Sequence, residues 1–214
     1  MLITMNELFI KYKIKVKGIL HVGAHKCEEL RSYLQLGIKI ENIYWIEAQP
    51  ELVYMNKINN PSIKIYQALI DEEDDKEIVF NITNNEQTGD SQSSSILEFG
   101  SHETSHPQVK MVDKKIMKTS RLETVIERKY IDMKEVNFLN LDIQGVELRA
   151  LKSMEKYLQN IDYIYTEVNT EEVYKDCDQM DDLTEYLKKF NFKLVDYRIY
   201  KQYGWGDAFY LREK

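Results

Sequence analysis

The sequence predicts an α/β fold: a mostly parallel, doubly wound sheet that ends in an antiparallel hairpin. Three observations carry this. Apolar strand-like runs alternate with segments whose apolar residues recur at helical spacing, which implies parallel strands with helices on both faces. The first strand-like run breaks at Gly23 into an acidic amphipathic stretch, in "KGILHVGAHKCEEL". The last two strand-like runs are joined by "KQYGWG", too few residues for a parallel crossover.

The elements follow in order. Residues 1–17 read as a lead-in, and Lys11–Lys17 alternates basic and apolar residues as a strand or its approach. Lys17–Val22 is a buried strand. Glu28–Leu36 is a helix, with Leu30, Tyr33 and Leu34 at helical spacing and a stop at Gly37. Asn42–Glu47 is the second strand, and Pro50 opens a helix to about Ile58. Ser62–Ile70 is the third strand.

Residues 77–120 read as an irregular insertion or lid. Glu77–Thr83 is strand-like, "NNEQTGDSQSSS" is a loop rich in turn formers, and Phe99–Pro107 is a loop holding His102 and His106. Ile116–Ser120 is a short strand and Leu122–Arg128 a short helix. Regularity returns with a strand at Val136–Asp142, a helix at Val146–Leu158, a strand at Asp162–Val168 and a helix at Asp181–Phe190. Lys193–Tyr200 and Asp207–Arg212 form the hairpin. No repeat or linker divides the chain, so one domain over 1–214 is expected.

Composition narrows the function. A formal charge of -7 argues against phosphate-backbone binding, so no nucleic-acid partner is expected. The two cysteines, Cys27 and Cys177, form neither a metal spacing nor a disulfide framework. No apolar run has the length of a membrane span or the form of a secretion signal, so a cytoplasmic protein is expected.

In such sheets ligands bind beyond the carboxyl ends of the strands, beside the first strand. Glu47, Asp142 and Glu167 all end strands and therefore share that edge. Glu47, closing the second strand, suits the two ribose hydroxyls of an adenosine. The turn after Gly23 lacks the second and third glycines of a dinucleotide cradle, and Glu28 and Glu29 would repel a pyrophosphate. S-adenosylmethionine carries an adenosine without phosphate, so the turn favours it over NAD.

Taken together, "GILHVGAHKCEE", "IYWIEAQPE", "QALID", "SSSIL", "TSRLETV" and "VNFLNLDIQGVELRALKSM" resemble the FkbM family of S-adenosylmethionine-dependent methyltransferases, in the family's order from about Gly18 to Tyr210. The most specific piece is "LDIQGVE", which is similar to the family's strand-to-helix signature. The resemblance implies a Rossmann-like class I methyltransferase fold and methyl transfer, usually to a hydroxyl of a sugar, glycan or natural product. By position it implies that Gly23, Ala24 and His25 hold the methionine end, Glu47 the ribose, and Gln67 and Ala68 the adenine, with Asp142 near the methyl group. His21 and Cys27 depart from the family's common Asp and Gly.

Methyl transfer to a hydroxyl needs a base, for which Asp142 is the first candidate and Glu167 the second. Asp142 serves equally well as a ligand of the cofactor amine or of its own turn, and Glu147 is read as structural. His102 and His106 sit in a loop that could fold over the site; they lack a metal spacing, and a lone loop histidine reads more readily as solvated. Carboxylates on one edge could hold Mg2+, an arrangement that is not favoured. Tyr200, Tyr203 and Trp205 stand beside the acids and suit the C–H face of a sugar. Two other readings stay open: an NAD(P)-dependent oxidoreductase and a non-catalytic binding domain on the same fold.

Overall fold

The computed structural model describes residues 1–213. Its main sheet takes β1 (Ile19–Val22), β2 (Ile43–Glu47), β3 (Lys64–Gln67), β7 (Phe138–Leu141), β8 (Tyr163–Asn169), β9 (Phe192–Tyr200) and β10 (Trp205–Arg212). Their order is β3-β2-β1-β7-β8-β10-β9. The first five are mutually parallel, and β10 lies antiparallel between β8 and β9. The chain winds outward from β1 through β2 to β3, then restarts on the other side of β1 with β7. That reversal opens a crevice at the carboxyl ends of β1 and β7.

The pleat divides each strand between two cores. Leu20, Val22, Tyr44, Ile46, Leu139 and Leu141 pack with α5 (Leu122–Arg128), α6 (Glu147–Lys152) and α7 (Met180–Lys188). Ile19, Ile43, Trp45, Ile65, Phe138 and Phe209 face the opposite layer. Two of that layer's helices are α1 (Met5–Tyr12) and α2 (Leu30–Gln35), and Val53 of α3 (Pro50–Asn59) joins the same core. The helices fit their sequences: α3 starts with Pro50 at its first turn, and α1 carries a capping box between Thr4 and Glu7.

The structure corrects several expectations. The lead-in contains α1, whose Met5 and Leu8 are buried, so Lys11 and Tyr12 end a helix and start no strand. Ser62–Ile70 is divided: β3 joins the main sheet, while β4 (Leu69–Ile70) joins a second sheet. In that sheet β5 (Glu77–Asn85) and β6 (Val109–Ser120) form a long antiparallel pair. β6 is therefore much longer than Ile116–Ser120, because its pairing with β5 continues back to Val109. The helix expected over Val146–Leu158 stops at Lys152 and continues as a 3-10 turn over Glu155–Asn160. Between β5 and β6, α4 (His102–Ser105) makes one helical turn.

Candidate active site

Beyond the carboxyl ends of β1, β2 and β7 lies a cavity of about 370 Å³, within the range of small-molecule sites. Gly23, His25, Glu47, Ala68, Asp142, Glu167 and Trp205, all expected at the site, line it. Gly23 is forced by packing: a Cβ there would stand 1.7 Å from the Asp142 carbonyl oxygen, and its φ of +92° disfavours other residues.

The turn after β1 uses its own amides. Gly23 and Ala24 donate to the Ile46 carbonyl at 2.9 and 3.0 Å, and Cys27 donates to the Ala24 carbonyl. The His25 amide donates to Glu47 Oε2 at 2.7 Å and the Lys26 amide to Glu28 Oε2 at 3.1 Å. No amide from Gly23 to Cys27 is left to cradle a phosphate. Glu47 is buried, and its second oxygen accepts from the Gln49 amide at 2.8 Å. Burial raises its carboxyl above the ordinary range, and the two amides oppose that rise. Each oxygen keeps a lone pair for a further donor.

His25 has a φ of 43° and pairs through Nδ1 with Glu28 Oε1 at 2.6 Å. Its Nε2 is buried without a partner. Burial acts to raise the Glu28 carboxyl, but the hydrogen bond and charge of His25 hold it at about 2.

A second group of acids is joined by one amide. Gln144 Nε2 donates to Asp142 Oδ1 and to Glu167 Oε2, both at 2.7 Å. Tyr174 donates its hydroxyl hydrogen to Gln144 Oε1, and Ser95 Oγ donates to the Gln144 carbonyl at 2.7 Å. Burial pushes Glu167 well above the usual carboxylate range, and the charges of Asp142 and Glu147 push it further. That rise favours the protonated form of Glu167 relative to an exposed carboxylate. Glu147 is buried under the turn, where it accepts from the amides of Ile143 at 2.9 Å and Gly145 at 3.2 Å. Burial lifts its carboxyl to about 8. Glu147 is structural, as its sequence position predicts.

Four expected site residues lie off the cavity. Ala24 is buried in the core with Cys27, because its amide ties the turn to β2 and its methyl points inward. Gln67 is exposed and donates to the Ala48 carbonyl at 3.1 Å, while the next residue, Ala68, turns toward the cavity. Tyr200 is 41% exposed and meets the cavity only through its edge contact with Trp205, centroid to centroid 5.1 Å. Tyr203 backs His106 at 4.7 Å between ring centroids.

Two residues expected in solvent belong to the site instead. His102 is 6% exposed, and both His102 and His106 line the cavity. The reason is a long-range clamp: Gly100, Ser101 and His102 donate their amides to the carbonyls of Glu172 and Val173 in the segment after β8. A Cβ at Gly100 would stand 2.1 Å from the Glu172 carbonyl oxygen, so glycine is required for that approach. Burial lowers His102 to about 4, assisted by the neighbouring His106, and burial also lowers His106. The Trp205 indole N–H donates to His106 Nε2 at 3.4 Å. The Ser-rich loop contributes Ser91 to Ser94 to the wall, tied down where Gln49 Nε2 donates to Ser91 Oγ at 3.1 Å.

His21, a departure from the resemblance, lines the cavity and joins a buried network behind it. Its ring stacks on Trp45 at 4.6 Å, and its Nδ1 is 3.1 Å from the Tyr33 hydroxyl, which also accepts from Asn140 Nδ2 at 2.8 Å. Among the described residues, no group of three or more His, Cys, Asp or Glu is arranged to hold a metal ion. Nor is any helix there long and apolar enough to cross a membrane.

Comparison with known proteins places this geometry. The family described as Methyltransferase FkbM domain matches residues 21–194. A comparison with curated proteins found none that matches. Among solved structures, the chain is similar to a protein in the NADB-Rossmann superfamily from Streptococcus agalactiae, at 12% identity and a TM-score of 0.48, over 95% of this chain and 65% of that one. It is similar to M. capricolum TrmK in complex with S-adenosyl-homocysteine, at 11% identity and a TM-score of 0.49, over 92% and 62% of the two chains. A third is the magnesium protoporphyrin IX methyltransferase from Synechocystis PCC 6803 with bound SAM, at 8% identity and a TM-score of 0.46, over 91% and 69%. The chain thus spans just under two thirds of the length of the first two.

Proposed function

Because the chain belongs to the FkbM methyltransferase family, we propose that its cavity binds S-adenosylmethionine and directs the methyl group to a hydroxyl of a sugar, glycan or sugar-like natural product. The observation that carries the cofactor is the pair formed by Glu47 and the turn after Gly23. Glu47 is held by two amides and keeps lone pairs for ribose hydroxyls. The turn has spent its amides within the protein, which disfavours the pyrophosphate of a dinucleotide. His25 lines the cavity beside this turn, in the place where it would meet the methionine end. Ala68 gives the adenine a small neighbour at the cavity wall.

When bound, S-adenosylmethionine supplies an activated methyl on a sulfonium. The chain's part is to aim the acceptor oxygen at it and take the proton. Asp142 is the residue assigned to proton removal: its Oδ1 is oriented by Gln144 at the cavity wall. Glu167, bonded to the same amide and raised by burial, is the second candidate. Trp205 offers a flat wall for the acceptor, with Tyr200 and Tyr203 behind it.

Calorimetry tests the cofactor assignment directly. The protein should bind S-adenosylhomocysteine and ignore NAD; tight NAD binding would return the oxidoreductase reading. Asp142→Asn should then lower turnover ~100-fold while leaving cofactor affinity within a few-fold. A collapse of affinity in its place would make Asp142 a cofactor ligand.

A further inference from the structure

Asp142 and Glu167 come from the ends of two paired strands, β7 and β8, and carboxylates held this close repel when both are charged. One amide stands between them. Gln144 Nε2 carries two hydrogens and presents one to each acid. An ionised carboxylate only accepts, so this nitrogen faces the pair and Oε1 faces away. The direction of the amide is then read by whatever donates to its far side.

Tyr174 is that donor. Its hydroxyl has a single hydrogen and two carbonyl neighbours, Gln144 Oε1 and the Ser93 carbonyl at 3.3 Å, and the contact with Gln144 is the shorter. The ring is 1% exposed and packs in a small apolar core with Phe99, Val109, Val173 and Cys177. The hydroxyl therefore reaches Gln144 from a fixed base.

The backbone supplies a second, independent observation. Gln144 has a φ of 60°, in the left-handed region that residues other than glycine seldom occupy, and Gly145 follows at 101°. A Cβ at Gly145 would stand 2.9 Å from Cys177 Cβ and 3.5 Å from Tyr174 Cδ2, so this turn is pressed against the Tyr174 core. Ser95 Oγ holds the Gln144 carbonyl from the other side at 2.7 Å. An unfavourable conformation is kept where it delivers one side chain between two acids.

We propose that Gln144 and Tyr174 are positioning residues for proton removal: Tyr174 fixes the direction of the Gln144 amide, and the amide stabilises the ionised form of the Asp142–Glu167 pair. The inference rests on the reading of Asp142 as proton acceptor in methyl transfer. The other charged or titratable groups facing the pair are Glu147 of α6, His21 of β1 and Asp207 of β10, with the Met1 amino group near Asp207. They are the same in every variant that tests the bridge.

Protein labelled with carbon-13 at the Asp and Glu side-chain carboxyls is titrated by NMR between about pH 3 and pH 10. Loss of signals in Asp142→Asn and Glu167→Gln assigns the pair. Gln144→Met keeps the length of the side chain and removes the donor. It should raise the product of the pair's two proton-binding constants at least ~tenfold. Tyr174→Phe keeps the ring and should raise the product at least ~threefold, yet add nothing in the Gln144→Met background. Lost packing would lower stability without that dependence on Gln144, so urea unfolding is measured for each variant. Gln144→Leu takes the place of Gln144→Met should the latter not fold. A pair that titrates in the Gln144 variant as it does in the original chain overturns the proposal. So does a Tyr174→Phe effect that is absent, or one that persists in full in the double variant. Neither cofactor nor acceptor is needed for these measurements. Failure of S-adenosylhomocysteine to bind would remove the methyl-transfer reading, while the titration alone decides the bridge.

Discussion

At the residue scale, the site is built from carboxylates in three different electrostatic states. Glu47 is tied by amides, Glu167 is pushed well above the usual range by burial and its acidic neighbours, and Glu147 supports the turn from beneath. Glu47→Ala removes an acceptor for two ribose hydroxyls and should cost about 2–3 kcal/mol of S-adenosylhomocysteine affinity. The same change leaves the amides of His25 and Gln49 unpaired, so thermal unfolding must be measured beside calorimetry. Unaltered affinity in a folded Glu47→Ala protein would remove the ribose assignment. Glu147 yields a pH prediction. Its folded carboxyl titrates at about 8 against 4.5 in the unfolded chain, so the folded state binds the extra proton. Its contribution to stability is therefore complete below pH 4.5 and is lost as pH rises toward 8. Glu147→Gln keeps an acceptor for the turn amides and cannot ionise. Urea unfolding should show this variant gaining on the original chain between pH 6 and pH 9, by up to a few kcal/mol. A constant difference across that range would show that Glu147 does not titrate there.

At the element scale, short strands deliver side chains and the connections between them decide the site. The turn between β1 and α2 works because Gly23 passes against Asp142 in the turn after β7. Gly23→Ala should cost several kcal/mol, since it adds a backbone clash to an unfavourable φ. Soluble yield and chemical unfolding would show it, and a stable Gly23→Ala protein would contradict the packing. The turn between β9 and β10 brings Trp205 to the cavity edge, where β10 pairs with β8 at Trp205 and Asn169. Trp205→Ala should raise the Michaelis constant for the acceptor and leave cofactor affinity intact. A loss of stability without that kinetic change would identify the ring as hairpin packing. The strand-helix alternation was readable in the sequence because burial on both faces imposes apolar runs on strands, while helices keep a single apolar stripe. β6 was read short because Lys110, Asp113, Lys114 and Lys115 interrupt its pattern. Only its partner β5, paired as far as Asn85 and Val109, makes it one strand.

At the scale of the whole molecule, two apolar layers close over one twisted sheet, and the crevice remains where the winding reverses. α1 completes the layer that covers Trp45 and Phe209, with Leu8 fully buried. Leu8→Ala should lower stability by ~2–4 kcal/mol, measured by chemical unfolding, with the cofactor constant unchanged because the cavity lies elsewhere. The lead-in escaped the sequence reading because α1 is short and its Lys-rich end alternates with apolar residues, which imitates a strand.

By itself the sequence determined the order of strands and helices, the antiparallel ending, the family, and the placing of Glu47, Asp142 and Glu167 at or near the carboxyl ends of β2, β7 and β8. These are local matters: periodicity, turn chemistry and position along the chain suffice to read them. Tertiary structure alone decided that His102 and His106 enter the cavity while Ala24, Gln67, Tyr200 and Tyr203 stay off it. It also decided that burial and the neighbouring acids push Glu167 well above the usual carboxylate range. The physical reason is common to both: each depends on contacts between residues far apart in the chain. The amides of Gly100 to His102 reach carbonyls near Val173, and Gln144 bridges Asp142 to Glu167. Such contacts leave no periodic trace in sequence, because burial and charge come from the neighbours that folding supplies.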